Sequence, residues 1–387
     1  MMFAMIALSI DAMLPALPMI AIDLADGDTQ KAAMIISTFM LGMGVGTFAA
    51  GPLSDAYGRK TIMLGGVLLY VIGAVVCSVA QSLEALLVAR VVQGLGASGP
   101  RVAAMALIRD LHHGPKMARI ISFVMMVFTL VPAVAPLVGQ VLLTFAGWRV
   151  IFLAFVIFAL LAGTWLAVRQ EETLTPQHRR PIRIALMAQA LTEILTNRFV
   201  CICILAQVVC FGILVVTISL TQQVFDQVFD QATTFPYWFG AIALVSAFGS
   251  FVNARLVERL GMLPLVRFAL GAQIVMSTVF LTFCVAGIPS SQMFPLYILW
   301  QTTVFVQVSL TLGNLNAIAM EPLGHIAGIA ASAIGAASTV GGVLVSVPVI
   351  LAFDQTPVPM VLGIAMMAFA GFCLVQAAVR STRLFEV

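Results

Sequence analysis

Gly51-Pro52-Leu53-Ser54-Asp55-Ala56-Tyr57-Gly58-Arg59-Lys60 packs a carboxylate, a turn glycine and two cations into ten residues. Long apolar runs flank it on both sides. Charged turns between membrane helices are common, but the spacing G-x-L-x-D-x-x-G-R-K is more specific than charge alone. The flanks set the fold class. Of 387 residues, 61% are hydrophobic and only 9% charged, with a mean hydropathy of +1.10. A soluble domain carries about 25% charged residues. The apolar residues recur in runs of roughly 20, the length a helix needs to cross about 30 Å of hydrocarbon. Repetition excludes a lone signal peptide, and the scant polar sequence leaves no room for a folded soluble domain. A formal charge of +3 gives no reason to expect a nucleic-acid partner. The six cysteines fall inside apolar runs without zinc-type pairing and read as free, buried small hydrophobes.

Working outward, the expectation is an all-α integral membrane protein with twelve spans: 1–22, 32–53, 61–80, 84–108, 117–143, 149–168, 199–221, 235–254, 263–285, 293–318, 327–352 and 358–379. The first begins at Met1 without a polar leader, so either the chain starts inside its first helix or a short leader precedes it. Residues 169–198 form the one long hydrophilic connection, with an apolar-periodic patch near 184–195. It divides the chain into 1–168, a linker 169–198, and 199–387, six spans in each half. The segment Gly249–Gly261 (GSFVNARLVERLG) echoes the opening stretch in its glycines and in Arg255 and Arg259, but reads as lacking the aspartate. Halves built as internal repeats would place a binding cavity between them near the bilayer midplane.

Orientation follows from Lys and Arg. The side holding residues 54–60 carries fifteen of the nineteen, including Arg109, Arg169, Arg179, Arg180, Arg183, Arg198, Arg267 and Arg380, against Lys31 and Arg149 opposite. By the positive-inside rule that side and both termini are cytoplasmic.

An ionisable residue deep in a span costs roughly 2.5–3.5 kcal/mol on insertion scales and marks function by default. Asp11 lies near the middle of the first span and reads as the one acid in any span core. The fourth span holds Arg90 and Arg101. Eleven residues at about 100° each return to nearly the same direction, so the two share a face about 16 Å apart along the helix. If Asp11 and Arg90 approach in one state and separate in another, the proton affinity of Asp11 alternates with conformation. The bland alternative is a static pair joining the first and fourth helices. Arg101 either lines a cavity or snorkels to the cytoplasmic surface. Pro15 and Pro18 just past Asp11, and Pro132, Pro136 and Gly139 in the fifth span, mark bend points. Gly94, Gly96 and Gly99, and Gly328 and Gly341 in the eleventh span, permit close helix contact. Gln307, Thr311 and Asn314 on the tenth span, and Gln207 with Thr217 on the seventh, form polar stripes. These suit interhelical hydrogen bonds or a cavity wall. There is no H-E-x-x-H, no G-x-S-x-G and no paired membrane carboxylate, which argues against an enzyme. A channel is disfavoured by the lack of a filter-like loop.

These motifs together resemble a family. The 51–60 stretch resembles the loop signature of the major facilitator superfamily, and Arg90-Val-Val-Gln93-Gly94 resembles its fourth-helix motif. Pro132-Ala-Val-Ala-Pro136-Leu-Val-Gly139 looks like its antiporter motif, with Ala135 where many members have glycine. Asp11-x-x-Leu14-Pro15-Ala-Leu-Pro18 and Glu321-Pro322-Leu323-Gly324-His325 resemble the bicyclomycin/chloramphenicol-resistance branch of drug:proton antiporters. The resemblance implies alternating access and proton-driven export of small amphipathic molecules from the cytoplasm across a bacterial inner membrane. It implies no cofactor beyond the proton gradient, a monomer, and small-molecule, proton and lipid partners. It implies that Asp11 is the protonation site with Arg90 as its partner. Gln93, Arg101, Gln207, Gln307, Thr311 and Asn314 are cavity candidates. Gly51, Asp55, Gly58, Arg59, Lys60, Arg109 and Asp110 form a conformational latch, asymmetric because the second half lacks its acid. If Arg101 lines the cavity, a neutral or anionic substrate is favoured over a cation. The competing reading on the same fold is a uniporter or proton symporter for a metabolite.

Overall fold

The computed structural model describes residues 1–383 apart from 176, 178, 180 and 183. Arg180 and Arg183, counted above toward orientation, lie outside the described residues. Among the described residues the chain is helical throughout, with no strand. The helices are α1 (Met2–Asp11), α2 (Leu17–Leu24), α3 (Thr29–Tyr57), α4 (Arg59–Val79), α5 (Leu83–Leu111), α6 (Gly114–Ala146), α7 (Arg149–Arg169), α8 (Ile184–Thr196), α9 (Arg198–Gln223), α10 (Phe235–Leu260), α11 (Met262–Val285), α12 (Ser290–Met320), α13 (Ala327–Leu351) and α14 (Val358–Arg383).

Among the described residues eleven stretches are long and apolar enough to cross a membrane. The longest, Ser290–Leu351, has 62 residues, which as one straight helix would be about three times the hydrocarbon thickness. A 3₁₀ segment at Glu321–Ile326, with Leu323 at φ −108°, breaks it into α12 and α13. It therefore supplies two crossings, and the total is twelve. The first span is itself discontinuous: α1 ends at Asp11, a 3₁₀ turn covers Leu14–Ala16, and α2 completes the crossing. Proline has no N–H to donate and clashes with the preceding turn, so Pro15 keeps α1 from continuing past the aspartate, while Pro18 sits in the first turn of α2, where a missing N–H costs little. The prolines of α6 act otherwise, for Pro132 and Pro136 sit inside a helix that runs unbroken from Gly114 to Ala146.

The chain forms two compact units, Met1–Ala188 and Gln189–Val387, divided within α8. In the first, α5 packs against α3 and α4, α1 against α6, and α4 against α7. In the second, α9 packs against α12, α13 and α14, with α11 against α12 and α14. Each central helix approaches its neighbours through glycine. A Cβ on Gly94 would lie 2.0 Å from the Phe39 carbonyl oxygen, and one on Gly42 would lie 2.1 Å from that of Val91. On α13, a Cβ at Gly341 would meet Val208 Cγ2 at 2.7 Å, whereas Gly328 has open space around it. With no hydrophobic drive between helices in lipid, this backbone approach is what gives them packing energy.

Large apolar side chains such as Leu68, Phe145, Val168 and Phe268 lie exposed on the helix exteriors, where a bilayer supplies acyl chains in place of water. The cysteines correct the expectation of uniform burial. All six are free, but only Cys77, Cys203 and Cys210 are buried, Cys201 and Cys284 are half-buried, and Cys373 is exposed. A thiol that behaves as a small hydrophobe tolerates a lipid-facing position as well as a core one.

Gly94→Val should drive a branched side chain into the α3 backbone and cost more than about 4 kcal/mol, the range reserved for severe overpacking. Gly65→Ala, at a position with nothing within 4 Å, should be neutral. Thermal unfolding in detergent distinguishes the two; equal midpoints would mean that α3 and α5 do not meet at Gly94.

Candidate functional site

The centre of the first unit is built around Arg90, fully buried on α5. Its guanidinium donates from Nε to the Ile35 carbonyl (3.2 Å), from Nη1 to Gln93 Oε1 (2.8 Å) and from Nη2 to the Ser9 carbonyl (3.1 Å). The Phe39 ring lies 4.4 Å from its Cζ and Phe152 at 5.9 Å, so the cation is also shielded by aromatic faces. Ser9 belongs to the last turn of α1, where carbonyls have no intrahelical partner. Arg90 thus caps the broken end of the helix that carries Asp11. The Ser9 hydroxyl reaches the Met5 carbonyl and the Tyr70 hydroxyl of α4, which ties α1, α3, α4 and α5 into one buried polar cluster.

Asp11 is buried, with 4% of its surface exposed, at the last position of α1. Among the described residues no ion pair joins it to Arg90, whose donors go to the oxygens named above. The static Asp11–Arg90 bridge is therefore absent from this conformation. What adjoins Asp11 is α6: a Cβ on Gly139 would fall 2.0 Å from the Ala12 carbonyl oxygen and 2.8 Å from its carbon. Only glycine lets α6 pass this close to the break. Arg101 is half-buried on α5 and has no hydrogen-bonding partner among the described residues.

In the second unit the polar stripes are buried, bonded partly between helices and partly within them. Gln207 of α9 donates to the Leu312 carbonyl (3.4 Å) and accepts from Ser338 of α13 (2.7 Å). Asn314 of α12 donates to Asn253 of α10 (2.7 Å). Gln307 donates to Thr311 at 3.0 Å. Gln301, absent from the sequence reading, donates to Thr221 of α9 at 2.6 Å. Their other polar atoms are not all spent: Gln301 Oε1 and Gln307 Oε1 are buried with no donor among the described residues. Helix α9 continues past its expected end into a π-helical turn, Val224–Val228. Asp226 consequently sits in the π-helical end of the seventh span, outside its core. Phe225 of this turn and Phe229, the residue after it, pack edge-on against Phe294.

The 51–60 stretch is a hinge of one residue. Gly58 (φ 108°, ψ 152°) ends α3 and begins α4, and Gly51 lies back inside α3. The Arg59 side chain bonds Asp55, Ser54 Oγ (3.0 Å) and, through Nε, Asp110 Oδ2 at the end of α5 (3.1 Å). Lys60 Nζ reaches the Ala167 carbonyl at 2.8 Å. Arg109 does not join the cluster; it is exposed, with no partner among the described residues. Sequence reasoning missed Glu172. Its Oε1 accepts from the Arg59 N–H (2.8 Å) and its Oε2 from that of Lys60 (3.1 Å), with Thr61 at 3.4 Å. Arg59 opens α4, so Glu172 is an N-terminal cap supplied 113 residues away, placed where a carboxylate also meets the helix dipole. A Cβ on Gly58 would meet Glu172 Oε2 at 2.3 Å, which gives this glycine a second reason to be glycine.

The second half repeats the hinge at Gly261 (φ 78°, ψ 163°), between α10 and α11. Counting back three residues from each hinge glycine gives Asp55 in one half and Glu258 in the other. The second half therefore has its acid, a correction to the expected register. What it lacks is the cation, since Met262 stands where Arg59 stands.

Among the described residues no group of three His, Cys, Asp or Glu side chains could hold a metal ion. The family described as the Major Facilitator Superfamily matches residues 1–346. An uncharacterised MFS-type transporter, YdgK of Bacillus subtilis (strain 168), is 28% identical over 356 residues, 91% of this chain and 87% of that protein. A bicyclomycin resistance protein homolog of Haemophilus influenzae is 29% identical over 265 residues, 68% of this chain and 66% of that protein, so this match spans just under two thirds of the relative. A crystal structure of a D-xylose-proton symporter superposes with a TM-score of 0.73 over 98% of this chain and 94% of its own, at 14% identity. At that identity the likeness is one of fold.

Replacing Glu172 with alanine should cost about 1 kcal/mol, the worth of a cap, and speed proteolytic cleavage in the 170–183 linker several-fold, with Glu172→Gln intermediate. Cleavage at the wild-type rate in both variants would separate the linker from the hinge.

Proposed function

The chain belongs to the major facilitator superfamily, as a multi-pass membrane transporter and not an enzyme, and from that premise we propose that it is a proton-coupled exporter of small amphipathic, antibiotic-like molecules. The observation that carries the proposal is Asp11: a buried carboxylic acid at the broken end of a membrane helix, with no cation bound to it among the described residues and α6 pressed against the next residue. A buried carboxylate without a partner is costly in lipid. It is stable when protonated, or when a rearrangement brings a donor to it. Movement of α1 against Arg90 and α6 therefore changes its affinity for a proton, and a proton taken up on one side of the membrane is released on the other. The proton gradient is the energy source and no cofactor takes part.

The other residues fall into supporting roles. Gln301 and Gln307 hold buried amides whose oxygens have no donor among the described residues, which suits a substrate offering N–H or O–H donors. Arg101, a cation within a span and without a partner among the described residues, favours neutral or anionic substrates over cations. Asp55, Arg59, Asp110 and Glu172 form the latch that biases the conformational equilibrium without touching the substrate. The excess of arginine on the side of Arg59 supports cytoplasmic termini in a bacterial inner membrane. The named relative supports a drug-like substrate and export as the direction; the monomer is the working unit. A metabolite symporter on the same fold is the competing reading, and direction of transport separates the two.

The test uses inside-out vesicles loaded with a pH-sensitive dye, energised, and given bicyclomycin and a panel of neutral amphipathic compounds. Addition of a substrate should dissipate the inward proton gradient. Asp11→Asn should reduce that response at least about tenfold, the scale of losing one essential proton site, with membrane insertion unchanged. Full dissipation by Asp11→Asn would remove this residue from the coupling. Substrate movement together with protons in the same direction would establish the symporter instead.

A further inference from the structure

The second unit carries a groove that neither the cluster around Arg90 nor the hinges use. It opens where α9 begins and α14 ends, two neighbouring antiparallel helices, and has a volume of about 460 Å³. Its walls are Ile202, Phe372, Cys373 and Ala377, and its charged lining residues are Arg198 and Arg380. Gln376 also lines it, and the Gln376 Oε1 accepts from Arg267 Nη1 of α11 at 3.3 Å. Arg198 is the first residue of α9, Arg267 lies in the second turn of α11 and Arg380 in the last turn of α14, so three helix ends bring three guanidiniums to one face. Among the described residues none of the three is ion-paired to a carboxylate and no acidic residue lines the groove.

We propose that this groove binds the headgroup of an anionic phospholipid, with an acyl chain lying along its apolar wall. The charge pattern calls for an anion, and guanidiniums suit phosphate because their planar donors engage two oxygens at once. The apolar side calls for something more than a free anion. Ile202, Phe372 and Ala377 descend from the rim into the membrane-spanning part of the helices, and Cys373 is exposed on the exterior. A small hydrated ion gains nothing from such a wall, whereas a lipid satisfies both halves of the site. Basic pockets between transmembrane helices are the usual places where acidic headgroups bind. The Arg267–Gln376 bond fixes the amide and leaves its NH₂ free to donate to the same headgroup. Occupancy would bridge α9 and α14 at the end where α9 meets the linker.

The test is native mass spectrometry of the full-length protein in detergent, titrated in parallel with dioleoyl phosphatidylglycerol and dioleoyl phosphatidylcholine. Each arginine near a headgroup contributes enough to change binding several-fold, so phosphatidylglycerol should bind about tenfold or more tighter than phosphatidylcholine. The double variant Arg198→Gln, Arg380→Gln should lose most of that preference while its thermal midpoint in lipid-free detergent stays at the wild-type value. Equal binding of the two lipids, or an undiminished preference in the double variant, would overturn the proposal. Displacement of phosphatidylglycerol by millimolar inorganic phosphate would make this a free-anion site and overturn it equally.

Discussion

A guanidinium buried without a carboxylate organises the first half of this transporter. Arg90 has to place its donors, and backbone carbonyls of α1 and α3 together with Gln93 take them. Such a charge could not be inserted on its own at tolerable cost. It is held partly by the break in the first span: α1 ends at Asp11, and the carbonyl of Ser9 in its last turn is one of the three oxygens that accept from the guanidinium. Close approach follows from this, for α5 can deliver the side chain to both helices only because Gly94 and Gly42 let the backbones of α3 and α5 come together. An arginine to lysine change here would not be conservative, since one ammonium cannot span three acceptors in a fixed fork.

That arrangement explains why Asp11 is left alone. The cation nearest in sequence logic is committed to carbonyl oxygens, and the aspartate sits at a helix end whose geometry depends on a neighbour. Gly139 closes the other side. Two contacts therefore govern the surroundings of one acid, the Arg90–Ser9 bond and the Gly139–Ala12 approach, and a shift of α1 alters both together. Coupling between a proton and a helix movement needs no more than this: a two-state element with a titratable group whose environment differs between states.

The twelve crossings were legible in the sequence because hydropathy and length report directly on the bilayer. Two of their interruptions were legible as well: Pro15 and Pro18 beside Asp11, and Gly58 at the hinge. Long-range partners were not. Nothing in the spacing of Glu172 ties it to residues 59–61, since the bond joins a linker side chain to backbone N–H groups 113 residues earlier, and backbone donors leave no mark on sequence. The acid of the second hinge was missed for a different reason. The spacing between the two glycines of the segment differs from that in the first hinge, and only the backbone turn at Gly261 puts Glu258 opposite Asp55. Arg90 was found by its cost in a membrane, but its true partners are carbonyls, which every residue carries. The expected salt bridge was the natural inference from side chains alone.

The central claim is that substrate binding and the proton on Asp11 exclude or displace one another through movement of α1. Purified protein in weakly buffered detergent solution, mixed with bicyclomycin or another compound that the vesicles carry, reports on this directly through the pH of the medium. The account predicts prompt release of protons by the wild type on substrate addition, and none by Asp11→Asn although that variant still binds the compound. Equal release from both proteins, or binding by the wild type with no release of protons, would contradict it.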